Sequence, residues 1–130
     1  MAIQDYNEAI RLKPDYANAY NNRGVAYLRL RDHQIAILDL NEALRLKPDY
    51  AEAYYNRGVV FAALGQYVKA VEDVNEYIRL KPSDAGAYLQ RGDYHLKQRN
   101  YELVCRDYRI ACSMGLCKKL DWAIEKKFCQ

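Results

Sequence analysis

The sequence repeats itself at an interval of 34 residues. Pro14, Pro48 and Pro82 stand 34 residues apart, and three further residue types recur at the same interval. These are the triplets Tyr20, Tyr54 and Tyr88; Arg23, Arg57 and Arg91; and Gly24, Gly58 and Gly92. A fixed period of about 20 to 50 residues indicates an array of small structural units, each of which buries its apolar face against its neighbours. The chain is therefore expected to fold as a stack of repeats.

Each period contains two helices joined by a short turn. In residues 49–82, apolar side chains recur at steps of three and four residues, which is the spacing of an α-helix rather than of a strand. Gly65 lies between the two helices and can adopt the left-handed conformation that ends a helix. The equivalent turns of the other periods lack glycine. We therefore expect a strained or different turn at residues 30–33, and a left-handed Asn100 in the third period.

The recurring aromatic, small and proline residues resemble the tetratricopeptide repeat (TPR) family. That family places an aromatic residue, a glycine, a second aromatic, an alanine, a large apolar residue, another alanine and a proline at set positions. The matching sets are Tyr20, Gly24, Tyr27, Ala36, Leu40, Ala43 and Pro48; Tyr54, Gly58, Phe61, Ala70, Val74, Tyr77 and Pro82; and Tyr88, Gly92, His95, Val104, Tyr108, Ala111 and Leu116. Tyr77 replaces an alanine, and Leu116 replaces the last proline. The resemblance implies an all-α, right-handed superhelical solenoid of antiparallel helix pairs.

The period also predicts repeat boundaries. We predict a half repeat at residues 1–14, complete repeats at 15–48 and 49–82, a degenerate repeat at 83–116 and a capping segment at 117–130, all in one contiguous domain. The capping helix is predicted over residues 118–128, because Leu120, Ile124 and Phe128 fall on one helical stripe. A polar cap of this kind closes the end of a solenoid.

The half repeat lacks its partner helix. Tyr6 and Ala9 fall in register with Leu40 and Ala43, so residues 1–14 correspond to the second helix of a hairpin. One apolar side of that helix would then be uncovered. We therefore expect the chain to be an excised piece of a longer protein, and we expect a homodimer to form through residues 1–14.

An arginine and an aspartate recur together, sixteen residues apart, in each period. In an antiparallel hairpin these two positions lie at about the same height, one on each helix. The spacing therefore predicts structural ion pairs, which would fix the register of the helices. The alternative is that the arginines form a ladder that faces an anionic ligand. The residues are Arg23 and Asp39, Arg57 and Asp73, and Arg91 and Asp107.

By resemblance to TPR proteins, the first helix of each repeat lines a concave peptide-binding groove. Asn22 and Asn56 directly precede the recurring arginines Arg23 and Arg57, and an amide can both donate to and accept from a peptide backbone. The alternative is that asparagine is merely tolerated on an exposed helix face. The other groove positions are Asn18, Asn21, Val25 and Arg29; Glu52, Tyr55 and Val59; and Leu89, Gln90, Asp93, Leu96 and Lys97. Their apolar strip, with polar edges, favours a peptide that has apolar anchors.

Length and charge exclude several classes of function. The net charge of +3 over 130 residues is too small and too evenly spread to indicate nucleic-acid binding. The sequence has no apolar run of about 18 residues for membrane insertion, and no secretory leader.

His33 and His95 are isolated, so we predict no catalytic residue, metal site or cofactor, and no enzyme activity. We expect a protein-interaction scaffold that binds a protein or peptide partner, or alternatively a self-assembly module of a larger multi-repeat protein.

Four cysteines cluster near the C-terminal end, at Cys105, Cys112, Cys117 and Cys129. Cys105 and Cys112 are seven residues apart, so they share the helix face that should meet the cap. We expect buried, reduced thiols and a cytoplasmic protein, since cysteine is often buried. Two alternatives stay open. Disulfides between the last hairpin and the cap would imply an oxidising compartment, and a zinc site would need closer cysteine pairs.

Overall fold

The computed structural model describes residues 2–130, and the backbone only of Ala2. Over this range the chain forms α-helices and no strand. The helices are α1 (Ala2–Leu12), α2 (Ala17–Arg29), α3 (His33–Leu46), α4 (Ala51–Ala63), α5 (Tyr67–Leu80), α6 (Ala85–Lys97), α7 (Tyr101–Ser113) and α8 (Lys118–Glu125). Two compact units divide the chain, Met1–Gln66 (unit 1, α1–α4) and Tyr67–Gln130 (unit 2, α5–α8). The division falls between the two helices of the period 49–82.

In unit 1, α2 and α3 pack as an antiparallel pair around a glycine. A Cβ atom on Gly24 would lie 2.9 Å from Leu40 Cγ and 3.2 Å from the carbonyl oxygen of Ala36, so only glycine allows this approach. Leu40 and Ala36 are fully buried, together with Val60 of α4. Small side chains therefore let the backbones of neighbouring helices come close, and the large apolar residues fill the space between them.

In unit 2, α6 and α7 pack in the same way. A Cβ atom on Gly92 would lie 2.6 Å from Tyr108 Cε1, and Tyr108 is fully buried. The core of this unit continues through Val104 to Ala123 of α8, and both are fully buried. The helix α8 is therefore part of the core of unit 2.

The turns between the helices of a pair share one backbone geometry. The backbone is left-handed at Arg31 (φ 62°), Gly65 (φ 75°) and Arg99 (φ 60°). In each turn the residue that follows donates its N–H to a carbonyl five residues earlier, as Asp32 does to Tyr27 at 2.9 Å. The prediction for Asn100 was wrong, since Arg99 takes the left-handed conformation and Asn100 caps α7 with a φ of −92°. The turn at residues 30–33 does carry the backbone strain of a left-handed arginine.

The half repeat forms a helix that packs on α2. Met1 and the side chain of Ala2 lie outside the described part of the chain. Tyr6 and Ala9 are half-buried, whereas Leu40 and Ala43, which occupy the same register in α3, are fully buried. One side of α1 is thus less covered than the equivalent side of α3 within unit 1. A homodimer through this surface stays a prediction.

The helix α8 ends at Glu125, three residues before the predicted end. Lys127 adopts a φ of 67°, and the N–H groups of Phe128 and Cys129 both bond to the carbonyl of Ala123. The chain therefore reverses direction after α8. Ile124, which was predicted to share the apolar stripe of the cap, is 43% exposed.

The four cysteines form two disulfides, so the expectation of reduced thiols was wrong. Cys105 of α7 is bonded to Cys129, and their Cα atoms lie 5.6 Å apart. Cys112, near the end of α7, is bonded to Cys117, which caps α8. The chain reversal after Glu125 is what brings Cys129 back to the face of α7 that carries Cys105. Both bonds tie the cap to the last hairpin.

Candidate binding surfaces

The predicted groove residues of unit 1 lie on the first helices of two hairpins, α2 and α4. Four of them are exposed and four are half-buried, while Asn21 is only 5% exposed. The exposed residues are Asn18, Asn22, Arg29 and Glu52, and the half-buried residues are Val25, Tyr55, Asn56 and Val59. The surface therefore combines a partly covered apolar strip with polar side chains that reach solvent.

A buried amide network links α2 to α4. Asn56 Nδ2 donates to Asn21 Oδ1 at 3.0 Å, and the side chain of Asn21 also bonds to Tyr50. Burial raises the pKa of Tyr50, and the nearby charge of Glu52 raises it further. Asn21 Nδ2 lies 3.5 Å from Asn22 Oδ1, at the limit of a hydrogen bond. Asn21 is thus an internal connector, and Asn22 is the amide that stands at the surface.

The predicted groove residues of unit 2 lie on α6 and have internal partners. Gln90 Nε2 donates to the hydroxyl of Tyr94 at 2.6 Å. Asp93 accepts hydrogen bonds from the Tyr108 hydroxyl at 2.6 Å and from Lys119 Nζ at 2.9 Å. Of the remaining three residues, Leu89 and Leu96 are half-buried and Lys97 is exposed. The surface of α6 is therefore joined to α8 by an ion pair.

Arg23 and Arg91 each form a bidentate ion pair within their hairpin. Arg23 Nε and Nη2 lie 2.9 and 2.7 Å from the two carboxylate oxygens of Asp39. Arg91 binds Asp107 in the same way, with Nη2 at 2.6 Å from Oδ1. The aspartates are 4% and 2% exposed, respectively. Hydrogen bonding to Asp39 raises the pKa of Arg23, which keeps the guanidinium charged.

Each arginine also bonds to an asparagine of the preceding helix, which the sequence analysis missed. Arg23 Nη1 donates to Asn7 Oδ1 at 2.8 Å, and Arg57 Nη1 donates to Asn41 Oδ1 at 3.0 Å. Arg91 Nη1 donates to Asn75 Oδ1 at 3.0 Å. The three asparagines stand 34 residues apart and each precedes its arginine by 16, so the repeat interval itself was the signal. These contacts are named the arginine ladder.

A tyrosine covers each guanidinium of the arginine ladder. The guanidinium carbons of Arg23 and Arg91 both lie 5.4 Å from the ring centres of Tyr20 and Tyr88, three residues earlier. The equivalent distance from Arg57 to Tyr54 is 5.7 Å. A guanidinium over a ring gains cation–π attraction. The guanidinium groups of Arg23 and Arg91 are therefore engaged inside the fold, both through their N–H donors and by the tyrosine rings. This argues against the alternative in which the arginines face an anionic ligand.

His33 is half-buried and His95 is buried. His95 is 9% exposed, and its Nε2 lies 3.8 Å from Asp107 Oδ2. Burial lowers the pKa of His95, while the charge of Asp107 opposes this change. Within residues 2–130, Nδ1 of both His33 and His95 is buried without a hydrogen-bond partner. Neither histidine lies in a group of three or more potential metal ligands among the described residues.

The longest helices in the described range have 14 residues, and none of α1 to α8 combines the length and hydrophobicity that a bilayer crossing requires.

The chain matches two family patterns and is similar to several solved structures. The pattern described as "TPR repeat" matches residues 1–30, and the pattern described as "Tetratricopeptide repeat" matches residues 26–85. No curated protein sequence matches the chain. A crystal structure of MamA shares 28% sequence identity and a TM-score of 0.82, and covers 86% of this chain and 66% of its own. A second crystal structure of MamA protein shares 29% identity and a TM-score of 0.80, over 86% of this chain and 61% of its own.

A third structure is similar in fold. MamA 41-end from Desulfovibrio magneticus RS-1 shares 23% identity and a TM-score of 0.81, over 87% of this chain and 64% of its own. This chain therefore spans less than two thirds of the length of the MamA chains that it matches.

The all-α fold of consecutive helix pairs that was predicted from the 34-residue period is confirmed. TPR modules are typically non-catalytic and bind protein partners. The repeat residues, the two family patterns and the fold together show that this chain belongs to the tetratricopeptide repeat family, as a protein-interaction scaffold.

Proposed function

We propose that unit 1 binds an extended peptide segment of a partner protein along α2 and α4. The observation that supports the proposal is the hydrogen bond of 3.0 Å between Asn56 and Asn21. It joins the two helices at the level of the exposed amide Asn22. Because residues three and four apart share a helix face, Val25 and Val59 stand one turn beyond this bond, on the same faces. An apolar strip then lies next to a polar amide.

Each part of this surface would contribute differently. Asn22 carries a donor and an acceptor, so its side chain could bond to a peptide group without reading the neighbouring side chain. Val25, Val59 and Tyr55 would contact apolar side chains of the partner. The bond between Asn21 and Asn56 holds the helices in place before binding, which lowers the entropy lost on association. In unit 2, the corresponding positions Leu89, Gln90, Asp93 and Lys97 are proposed as a partner-facing surface of that unit.

The test is an amide NMR titration of the chain with a pooled set of capped, extended peptides. We expect shifts at Asn22, Tyr55 and Val59, and we expect Val59→Asp to weaken binding by about tenfold or more, because a charge would enter an apolar contact. Gln34→Asp is the matched control, since Gln34 is exposed on α3. Shifts that are absent, or that are equally weakened by both variants, would contradict the proposal.

Self-assembly through α1 is a second candidate function. It is favoured by the partial exposure of Tyr6 and Ala9, whose register equivalents Leu40 and Ala43 are fully buried. A second copy that covered this side of α1 would bury apolar surface. Light scattering at increasing concentration tests the idea. Assembly would be supported if the mass doubles at high concentration and if the Ala9→Lys variant has the mass of a monomer. A constant monomeric mass would contradict it.

A further inference from the structure

A cavity of about 370 Å³ opens in unit 2 beside the C-terminal helix. It is lined by Leu96 of α6, Tyr108 of α7, and Lys118, Lys119 and Trp122 of α8. Its lining is mainly apolar, because a leucine and two aromatic side chains stand beside the two lysines. Its volume lies in the range of about 300 to 1,000 Å³ that is typical of ligand sites. None of the residues of α7 and α8 that line it belongs to the predicted groove.

The aromatic wall of the cavity is exposed but firmly supported. Trp122 is 39% exposed, although tryptophan gains most when it is buried. Its ring packs on Phe128, with centres 5.6 Å apart, and Phe128 stacks on Tyr101 at 4.9 Å. The indole thus packs on an aromatic neighbour and also lines the cavity. A rigid, partly exposed tryptophan beside an apolar pocket is the arrangement found at energetic centres of protein interfaces.

Two lysines, Lys118 and Lys119, line the cavity. Lys119 is neutralised by Asp93, at 2.9 Å, but Lys118 makes no ion pair with any residue in the described range. An exposed lysine that has no counter-charge within the described part of the chain, beside an apolar pocket, attracts a carboxylate of a ligand. Charge complementarity therefore selects an acidic partner.

The wall that α8 contributes is held in place before any ligand binds. Disulfides join Cys105 to Cys129 and Cys112 to Cys117, and they lie on either side of α8 in the sequence. Arg109 Nη2 also donates to the carbonyl of Gln130 at 2.8 Å. A site that is formed in advance loses less entropy on binding than one that must be ordered.

We propose that this cavity binds an acidic peptide segment, with one large apolar side chain against Trp122 and Leu96 and a flanking carboxylate at Lys118. The inference goes beyond the proposed function, because it assigns a site in unit 2 that shares Leu96 with the predicted groove but is formed mainly by α7 and α8, and because it names a class of ligand. It does not depend on peptide binding by α2 and α4.

The experiment uses the intact, oxidised chain and a fluorescein-labelled hexapeptide with capped ends, in which a leucine–phenylalanine pair is flanked by two aspartates on each side. Trp122 is the single tryptophan of the chain, so its emission, excited selectively, reports occupancy of the cavity. We expect the peptide to change this emission and to show saturable binding by anisotropy. A peptide with serines in place of the apolar pair, and one with lysines in place of the aspartates, should each bind at least about tenfold more weakly.

Variants separate this site from the rest of the molecule. Lys118→Glu and Trp122→Ala should each weaken the aspartate peptide by about tenfold or more, with folding checked by circular dichroism. Lys126→Glu, which changes the net charge equally outside the cavity, should leave the affinity within about twofold, and so should Gln34→Asp on the exposed side of α3 in unit 1. Equal binding of all three peptides, equal effects of Lys118→Glu and Lys126→Glu, or no binding up to millimolar peptide would each overturn the proposal.

Discussion

The hydroxyl of Tyr108 donates a hydrogen bond of 2.6 Å to Asp93 Oδ1, inside unit 2. Tyr108 is fully buried, and both its burial and this bond raise its pKa. Asp93 is therefore the acceptor that satisfies a buried hydroxyl, in addition to being the partner of Lys119. Loss of the acceptor and loss of the lysine should have different consequences.

We expect Asp93→Ala to lower the free energy of unfolding by about 1–3 kcal/mol, because a buried hydroxyl is left without an acceptor. Lys119→Ala should cost less than about 1 kcal/mol, because a partly exposed ion pair contributes little. Urea unfolding followed by circular dichroism measures both. In the Asp93→Ala background, Tyr108→Phe should recover part of the loss. Equal losses in the two single variants would show that the hydroxyl is satisfied in some other way.

The ion pair between Arg91 and Asp107 should matter more than the contact between Arg91 and Asn75. Asp107 is 2% exposed, so Arg91→Ala leaves a buried carboxylate without its main partner and should cost about 2–4 kcal/mol. Asn75→Ala removes one exposed hydrogen bond and should cost about 1 kcal/mol or less. Replacing both charges, by Arg91→Met with Asp107→Leu, should cost less than Arg91→Ala alone. Chemical unfolding of the four proteins provides the comparison.

Replacing an arginine that has a left-handed backbone conformation by glycine should stabilise the fold. Arg31 has a φ of 62°, which costs a residue with a side chain about 1 kcal/mol or more relative to glycine. Arg31→Gly should therefore raise the free energy of unfolding by about 0.5–1 kcal/mol, part of the gain being offset by the freedom of glycine in the unfolded chain. Arg29→Gly, two residues earlier in α2, is the control and should lower it by up to about 1 kcal/mol. A loss in both variants would contradict the geometry of the turn.

The two disulfides should contribute unequally to stability. Cys105 and Cys129 are separated by 24 residues, and Cys112 and Cys117 by five. In the chain-entropy treatment, loops of these sizes stabilise the fold by about 3 and about 2 kcal/mol, respectively. We expect Cys105→Ala with Cys129→Ala to lower the midpoint of urea unfolding more than Cys112→Ala with Cys117→Ala does. The wild-type protein in excess dithiothreitol should show the larger, combined loss, and an insensitive midpoint would argue that the thiols are not paired in solution.

His95 should make stability depend on pH. Burial is the main cause that lowers the pKa of His95 below its ordinary value of 6.5, Arg91 lowers it further, and Asp107 and Gln98 oppose the change. Because the unfolded chain then binds the proton more readily, the contribution of His95 is present above about pH 6.5 and is lost as the pH falls below it. Unfolding measured between about pH 7.5 and about pH 5 should show this loss. His95→Phe, which introduces the residue type of Phe61 at the same place in the period, should reduce the slope, and an unchanged slope would exclude His95 as its source.

The sequence predicts the repeated part of the fold much better than its last fifteen residues. The 34-residue interval predicts the helices because apolar and glycine positions must recur wherever one hairpin packs on the next, as Gly24 on Leu40 and Gly92 on Tyr108. The asparagines of the arginine ladder could be found from the same interval, but no apolar pattern points to an exposed amide. The reversal at Lys127 had no signal, because lysine rarely adopts a positive φ, and the disulfide partners depend on that reversal.

The predicted sites were harder to derive than the fold for a related reason. Helix periodicity assigns a residue to a face, but it does not say whether a neighbouring side chain already occupies its polar groups. Asn21 and Asp93 were both expected to face a partner, yet Asn21 bonds to Asn56 and Asp93 bonds to Tyr108 and Lys119. The cavity beside Trp122 was not anticipated, because it depends on where α8 lies against α6 and α7.

The arginine ladder also bears on how the chain finds its own order during folding. Asn7 and Asn41 offer the same acceptor to Arg23 and Arg57, so this hydrogen bond cannot tell one junction of unit 1 from the other. A hairpin could dock one period out of place, or onto a neighbouring molecule, and still form it; such mispairing is a known hazard of repeat proteins. Discrimination must come from residues that break the repetition. Arg109 is one of them: it stands where the asparagine would recur, and it presents a donor to Gln130 instead of an acceptor to an arginine.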